Sequence, residues 1–299
     1  MVSIDLPDET EALYFFSYLK KRLAEQNIDR QVEITIADCF VQIDHKKDAP
    51  VPSLFIKQAV SHTLAHYSIH FFEKRLAKEI LKETFRYSDE QEISEILLIM
   101  EEIIRGKRKD IPHQPKDQRK ELLEEEFFIF LHETTSFTLT SFFRFRLKKY
   151  KQLLQSFLEL AIDEYKMEQE YQSLIEEWRT YVQKRKTLCE TIYLYEHPDG
   201  FQMFTDVFEE ISFEKLPSLI DENLYRYEEL QQTPPLLASL LTLSPKRIIL
   251  YTKQSDSLFI QTIQNIFQES VIIKSKSLFL KEKTRVLDFL TTKAYNSEQ

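Results

Sequence analysis

The apolar positions of this chain repeat with two different periods, and the switches between them mark its elements. Residues 2–6 alternate, Pro7 and Asp8 interrupt, and Leu13, Phe16, Leu19 and Leu23 then recur at steps of three and four. That spacing predicts an amphipathic helix over residues 9–26. Two β-rich runs follow at 32–36 and 39–43, separated by Ala37 and Asp38, so residues 1–48 predict a small strand-helix-hairpin unit. Pro50 and Pro52 break the chain, because each proline fixes its own φ and turns the preceding residue away from helix. Ser53 is the expected N-cap of a helix reaching about residue 85, and Ser88 or Asp89 that of a second one ending at Gly106.

Residues 106–116, with Pro112 and Pro115, are the expected linker inside a helical domain covering 49–190. Between Pro115 and Pro198 there is neither glycine nor proline, which permits long helices. The polar run His132-Glu133-Thr134-Thr135-Ser136 divides this stretch into predicted helices at 117–131 and 136–189. In the second, Phe143, Leu147, Tyr150, Leu154, Phe157 and Ala161 form one stripe. A shifted stripe runs through Leu160, Met167, Tyr171, Leu174, Trp178 and Tyr181, and the change of phase at 163–170 predicts a bend or a new packing partner.

From Thr191 the period becomes two, and Pro198-Asp199-Gly200 supplies a turn between alternating runs. A short helix to residue 243, a strand at 246–252, a helix at 256–268 and a strand at 271–273 predict a parallel βαβ crossover. The last ten residues read as frayed. The expected fold is α+β and predominantly helical, with long central helices flanked by small α/β units at 1–48 and 191–299.

Composition narrows the function classes. Gly106 and Gly200 are the only glycines in 299 residues, which excludes a P-loop and a dinucleotide-binding fingerprint. Cys39 and Cys189 are too few for a Cys-rich zinc module or a disulfide framework, and fit a reducing cytoplasm. Asp5, Asp8 and Glu9 precede any basic residue, the wrong polarity for a signal peptide, and the longest apolar runs are five residues, so neither export by that route nor a membrane span is expected. A net charge of −9 disfavours indiscriminate binding to nucleic acid or anionic lipid.

Three constellations offer chemistry. His62, His66 and His70 lie four apart on one predicted helix face, as metal ligands would, yet no Glu-x-x-His accompanies them and a straight helix holds the outer pair too far apart for one ion. The alternative is a polar helix edge. Asp163, Glu164, Glu168 and Glu170 offer paired carboxylates but have no second catalytic element beside them. The segment 142–151 combines cations with aromatics; Phe143, Leu147 and Tyr150 belong to the core stripe, leaving Arg144, Arg146, Lys148, Lys149 and Lys151 as the candidate contact residues. An acidic protein partner is the first expectation. Nucleic acid, bound by the same segment with Arg105, Lys107, Arg108 and Lys109, is the second. A metal-dependent enzyme using His62, His66 and His70 is the third, although no catalytic residue, metal or cofactor is assigned from the pattern.

With Phe145-Arg146-Leu147 and Tyr150, Asp163-Glu164-Tyr165, Glu170-Tyr171, the aromatic-rich continuation from Trp178 to Val182, and the late Ser244-Pro245-Lys246-Arg247-Ile248-Ile249 in view, the chain resembles the YtxC-like family associated with sporulation in endospore-forming bacteria. The resemblance implies a setting, a bacterial cytoplasm in an organism able to sporulate. It implies no reaction, and it carries over no catalytic residues.

Overall fold

The computed structural model describes residues 2–46, 52–108, 111, 118–198, 200–212, 235–253 and 257–297, with side chains as far as residue 288. It is α+β and predominantly helical, and it divides into two compact units, Met1–Met167 and Glu168–Gln299.

The first unit opens with β1 (Val2–Asp5), α1 (Glu9–Glu25) and the hairpin β2 (Val32–Ala37) and β3 (Phe40–His45). Asp8 caps α1, its carboxylate accepting from the Glu11 amide at 2.8 Å. The buried face of α1 is Ala12, Phe15, Leu19 and Leu23, whereas Leu13 is exposed and Phe16 half-buried. The predicted stripe was therefore one residue out of phase over its first turns. Ala37 pairs with Phe40, so the hairpin turns at Asp38-Cys39, one residue later than expected, with Asp38 in the left-handed region that aspartate tolerates.

Next come α2 (Ser53–Tyr67), a single π-helical turn (Ser68–Phe72), α3 (Glu73–Glu83), α4 (Glu90–Ile104) and α5 (Gln118–Glu133). Ser53 is the first helical residue and not the cap, because Pro52 supplies the extended entry. Asp89 does cap α4, its Oδ1 accepting from the amides of Gln91 and Glu92 at 2.8 and 2.9 Å. Gly106, at φ 66°, closes α4 with its own amide on the Ile103 carbonyl and that of Lys107 on Glu102. Most of the expected linker at 106–116 lies outside the described residues.

The expected single helix over 136–189 is three elements: β4 (Ser136–Thr138), α6 (Leu139–Phe145) and α7 (Lys148–Lys184). β4 adds to the N-terminal sheet, pairing parallel with β1 to give the order β2-β3-β1-β4, and the Ser3 amide donates to the Thr135 carbonyl at 2.7 Å. An open edge on β1 outweighs a local pattern that permitted helix. The stripe itself is real: Phe143, Leu147, Tyr150, Leu154, Phe157 and Ala161 are all buried in the core of this unit, alongside Phe127, Leu64 and Leu81.

The second unit contains the rest of α7, the hairpin β5 (Thr191–His197) and β6 (Gly200–Phe204), α8 (Pro235–Leu243), β7 (Arg247–Thr252), α9 (Leu258–Phe267), β8 (Val271–Ser275) and α10 (Phe279–Ser297). Its sheet runs β6-β5-β7-β8, antiparallel at β5–β6 and parallel at both other pairs. Ile192, Leu194, Ile248 and Leu250 join a core with Trp178, Ile175 and α8, while Tyr251, Phe204 and Phe208 form a second cluster with Phe279. From Leu236 to Leu243 every residue of α8 is buried, and the hydroxyls of Ser239 and Thr242 donate back to carbonyls four residues earlier. Along α7, Trp178 is buried as the shifted stripe predicted, but Met167 is 60% exposed and the unpredicted Ile175 is buried. The C-terminus, expected to be frayed, continues α10 to Ser297.

Candidate interaction surface

α6 is short because its two adjacent phenylalanines are both drawn inward. Phe143 stacks on Phe72 with centroids 3.6 Å apart, and Phe142 stacks on Phe127 at 4.3 Å. The helix then breaks at Arg146, whose amide still reaches the Phe142 carbonyl, and α7 restarts with the Lys151 amide on the Leu147 carbonyl, each at 2.9 Å. With Phe143 and Leu147 fixed in the core, Phe145 is turned outward and is 74% exposed.

Arg144, Arg146, Lys148 and Lys149, neighbours of that ring in sequence, are exposed, and Lys151 is half-buried. The Arg144 guanidinium lies 5.6 Å from the Phe145 centroid, and that of Arg146 lies 5.5 Å from Phe130. Lys149 reaches Glu126 at 3.4 Å; among the described residues Arg144, Arg146, Lys148 and Lys151 have no carboxylate at ion-pair distance. Three lysines thus occupy the start of α7, where no acidic residue stands in the first turn. Cations are disfavoured there by the positive end of the helix dipole, so this arrangement does not serve the helix itself.

Beneath the surface, Tyr150 is 1% exposed and donates its hydroxyl to Glu73, the first residue of α3. Arg119 of α5 donates to the same carboxylate. Burial first, and then the Glu73 charge, raises the Tyr150 pKa well above its ordinary value. A second triad has the same composition: Tyr67 and Arg75 both donate to the carboxylate of Glu11. These contacts anchor α7, α3 and α5 to one another and α1 to α2 and α3.

Of the other candidates, His66 and His70 stack on each other with centroids 6.4 Å apart, and among the described residues the rest form no common site with them. His62 Nδ1 is 2.8 Å from Glu124, His66 stacks on Tyr18 at 4.0 Å, and His70 stacks on Tyr14 at 5.3 Å. Burial lowers the pKa of both His62 and His66, with Glu124 opposing it at His62. Among the described residues no three His, Cys, Asp or Glu side chains are grouped to hold a metal ion. Glu164 faces Arg108 at 3.4 Å, and Arg108 also holds Glu102 while Arg105 holds Glu101, so the second basic cluster is largely engaged with carboxylates. Lys109 lies outside the described residues. No helix among them is long and apolar enough to cross a membrane.

Sequence reasoning passed over Phe145. Its signal was its phase: two residues beyond the core position Phe143, it points about 200° away from the stripe.

No solved structure matches the chain. It is similar to the protein YtxC of Bacillus subtilis (strain 168), with 29% identity over 276 residues that cover 91% of this chain and 93% of that one. The sequence profile of the YtxC-like family matches residues 58–272, a span that runs from within α2 to the start of β8 and takes in the whole of the basic, aromatic surface. The chain belongs to the YtxC-like family.

Proposed function

We propose that the protein is a non-catalytic, sporulation-associated interaction protein of the bacterial cytoplasm, and that it binds an acidic protein partner through Arg144, Arg146, Lys148, Lys149 and Lys151 around the exposed Phe145 ring. The observation that carries this reading is the run of lysines at the N-terminus of α7, of which Lys148 and Lys151 meet no described carboxylate, close in sequence to a ring 74% exposed. An acidic group docked there relieves cation repulsion and meets the helix dipole with the favourable sign. The aromatic ring supplies the apolar anchor that such interfaces concentrate near their centre. Reversing two charges, Arg144→Glu with Lys148→Glu, is expected to abolish capture of the partner while leaving the melting transition in place. Unchanged capture by that folded variant removes the reading.

Phe145 also supports a second reading, since an exposed ring flanked by arginines suits stacking on an unpaired base. Binding of single-stranded nucleic acid then falls steeply with salt, by a slope near −0.7 per phosphate contacted. A flat salt response excludes it.

A further inference from the structure

A cleft of about 540 Å³ opens in the first unit beside the π-helical turn, between α3, α4 and the start of α5. That size suits a small organic ligand. Its two walls differ in kind. Leu98, Met100 and Ile104 of α4 make one side apolar, and Leu98 is 59% exposed. Across from them are His66, Lys74, Arg119 and Lys120.

The carboxylates lining the cleft leave the charge of Lys74 on this wall without a partner among the described residues. Glu73 is taken up by Arg119 and Tyr150, and Glu101 by Arg105. Lys74 has no ion pair among the described residues, and Lys120 has only a 3.6 Å contact with Glu124, which already accepts His62. Two enclosed nitrogens in the same wall, His66 Nδ1 and Arg119 Nε, lack any partner among the described residues. Buried polar atoms are rarely left in that state, since each such group costs about 1–3 kcal/mol. The π turn beside them, closed by the Glu73 amide on the Ser68 carbonyl, is a rare local geometry that recurs at functional sites.

We propose that this cleft binds an amphipathic organic anion, its charged head held by Lys74, Lys120, Arg119 and His66 and its apolar body laid on Leu98, Met100 and Ile104. This ligand site does not depend on the partner surface at Phe145. The head is a carboxylate, sulfonate or phosphate carried on an apolar body; inorganic phosphate, which lacks the body, leaves the α4 wall uncovered and binds weakly.

The test uses the full chain and 8-anilinonaphthalene-1-sulfonate, followed by fluorescence and calorimetry. One probe per chain is expected, displaced by decanoate and not by inorganic phosphate at the same concentration. Lys74→Glu with Lys120→Glu alters exposed or half-buried side chains and is expected to weaken the probe about tenfold or more with an unchanged melting transition. Leu98→Asp, at an exposed position, is expected to weaken decanoate without altering the fold. Absence of stoichiometric binding, affinity unchanged in both folded variants, or displacement by phosphate in preference to decanoate each overturns the proposal.

Discussion

Tyr150 and Glu73, 77 residues apart in sequence, meet in a buried hydrogen bond that ties the first turn of α7 to the first residue of α3. Arg119 completes the site from α5. The core therefore holds a carboxylate that is tolerated only because both partners are present. Tyr150→Phe is expected to cost about 1–3 kcal/mol in a urea titration, the penalty for leaving part of a buried acceptor unmet. Glu73→Ala strands the Arg119 cation and is expected to cost about 3–5 kcal/mol. A Tyr150→Phe variant as stable as the parent contradicts this role.

Three tyrosines share one arrangement: Tyr67 on Glu11, Tyr150 on Glu73, and Tyr251 on Glu282 at 2.6 Å. Burial first, and then the carboxylate, raises the pKa of each above its ordinary value near 10. The folded chain keeps these protons when the unfolded chain has released them. Their contribution is complete below about pH 10 and is lost as pH rises through the higher folded-state values. Urea midpoints are expected to hold up to about pH 10 and decline beyond it, less steeply in Tyr150→Phe. Equal alkaline slopes in the two proteins refute the assignment.

On the acid side the sign reverses. Burial, followed by the charges of His70, His62 and Lys120, lowers the His66 pKa from its ordinary 6.5, and the stacked rings of Tyr18 and Tyr14 face it from α1. The folded state favours the neutral ring, so stability is complete above about pH 6.5 and declines as pH falls toward the folded value. His66→Gln is expected to reduce the loss between pH 7 and pH 5.5. The measurement is the difference in urea midpoints across that interval, and an identical difference in parent and variant argues against it.

Lys148 separates stability from binding. It sits in the first turn of α7 with no described carboxylate beside it, against the helix dipole. Lys148→Glu is expected to raise stability by about 0.3–1 kcal/mol while weakening partner capture. Loss of both together would mean that the lysine supports the fold.

Much of the fold was legible in the local pattern, because burial follows period. The stripe from Phe143 to Ala161 could be read residue by residue, as could the Gly106 stop, and the cap of α4 was narrowed to Ser88 or Asp89. What escaped depends on partners distant in sequence. β4 exists because β1 offers an edge more than 130 residues away, and nothing in Ser136-Phe137-Thr138 announces that edge. The π turn and the Glu73, Arg119 and Tyr150 triad are equally non-local. The basic residues of the surface were visible as composition, but the break at Arg146 that sets Phe145 outward required the competing pulls of Phe142 and Phe143.

Capture by the full chain from extracts of sporulating cells, analysed by mass spectrometry and run beside the Arg144→Glu, Lys148→Glu variant, bears most directly on the role of this surface. The expected result is an acidic protein retained by the parent, insensitive to nuclease and absent from a variant whose melting temperature is not lowered. Equal retention by both chains, or a signal that nuclease removes, would contradict it.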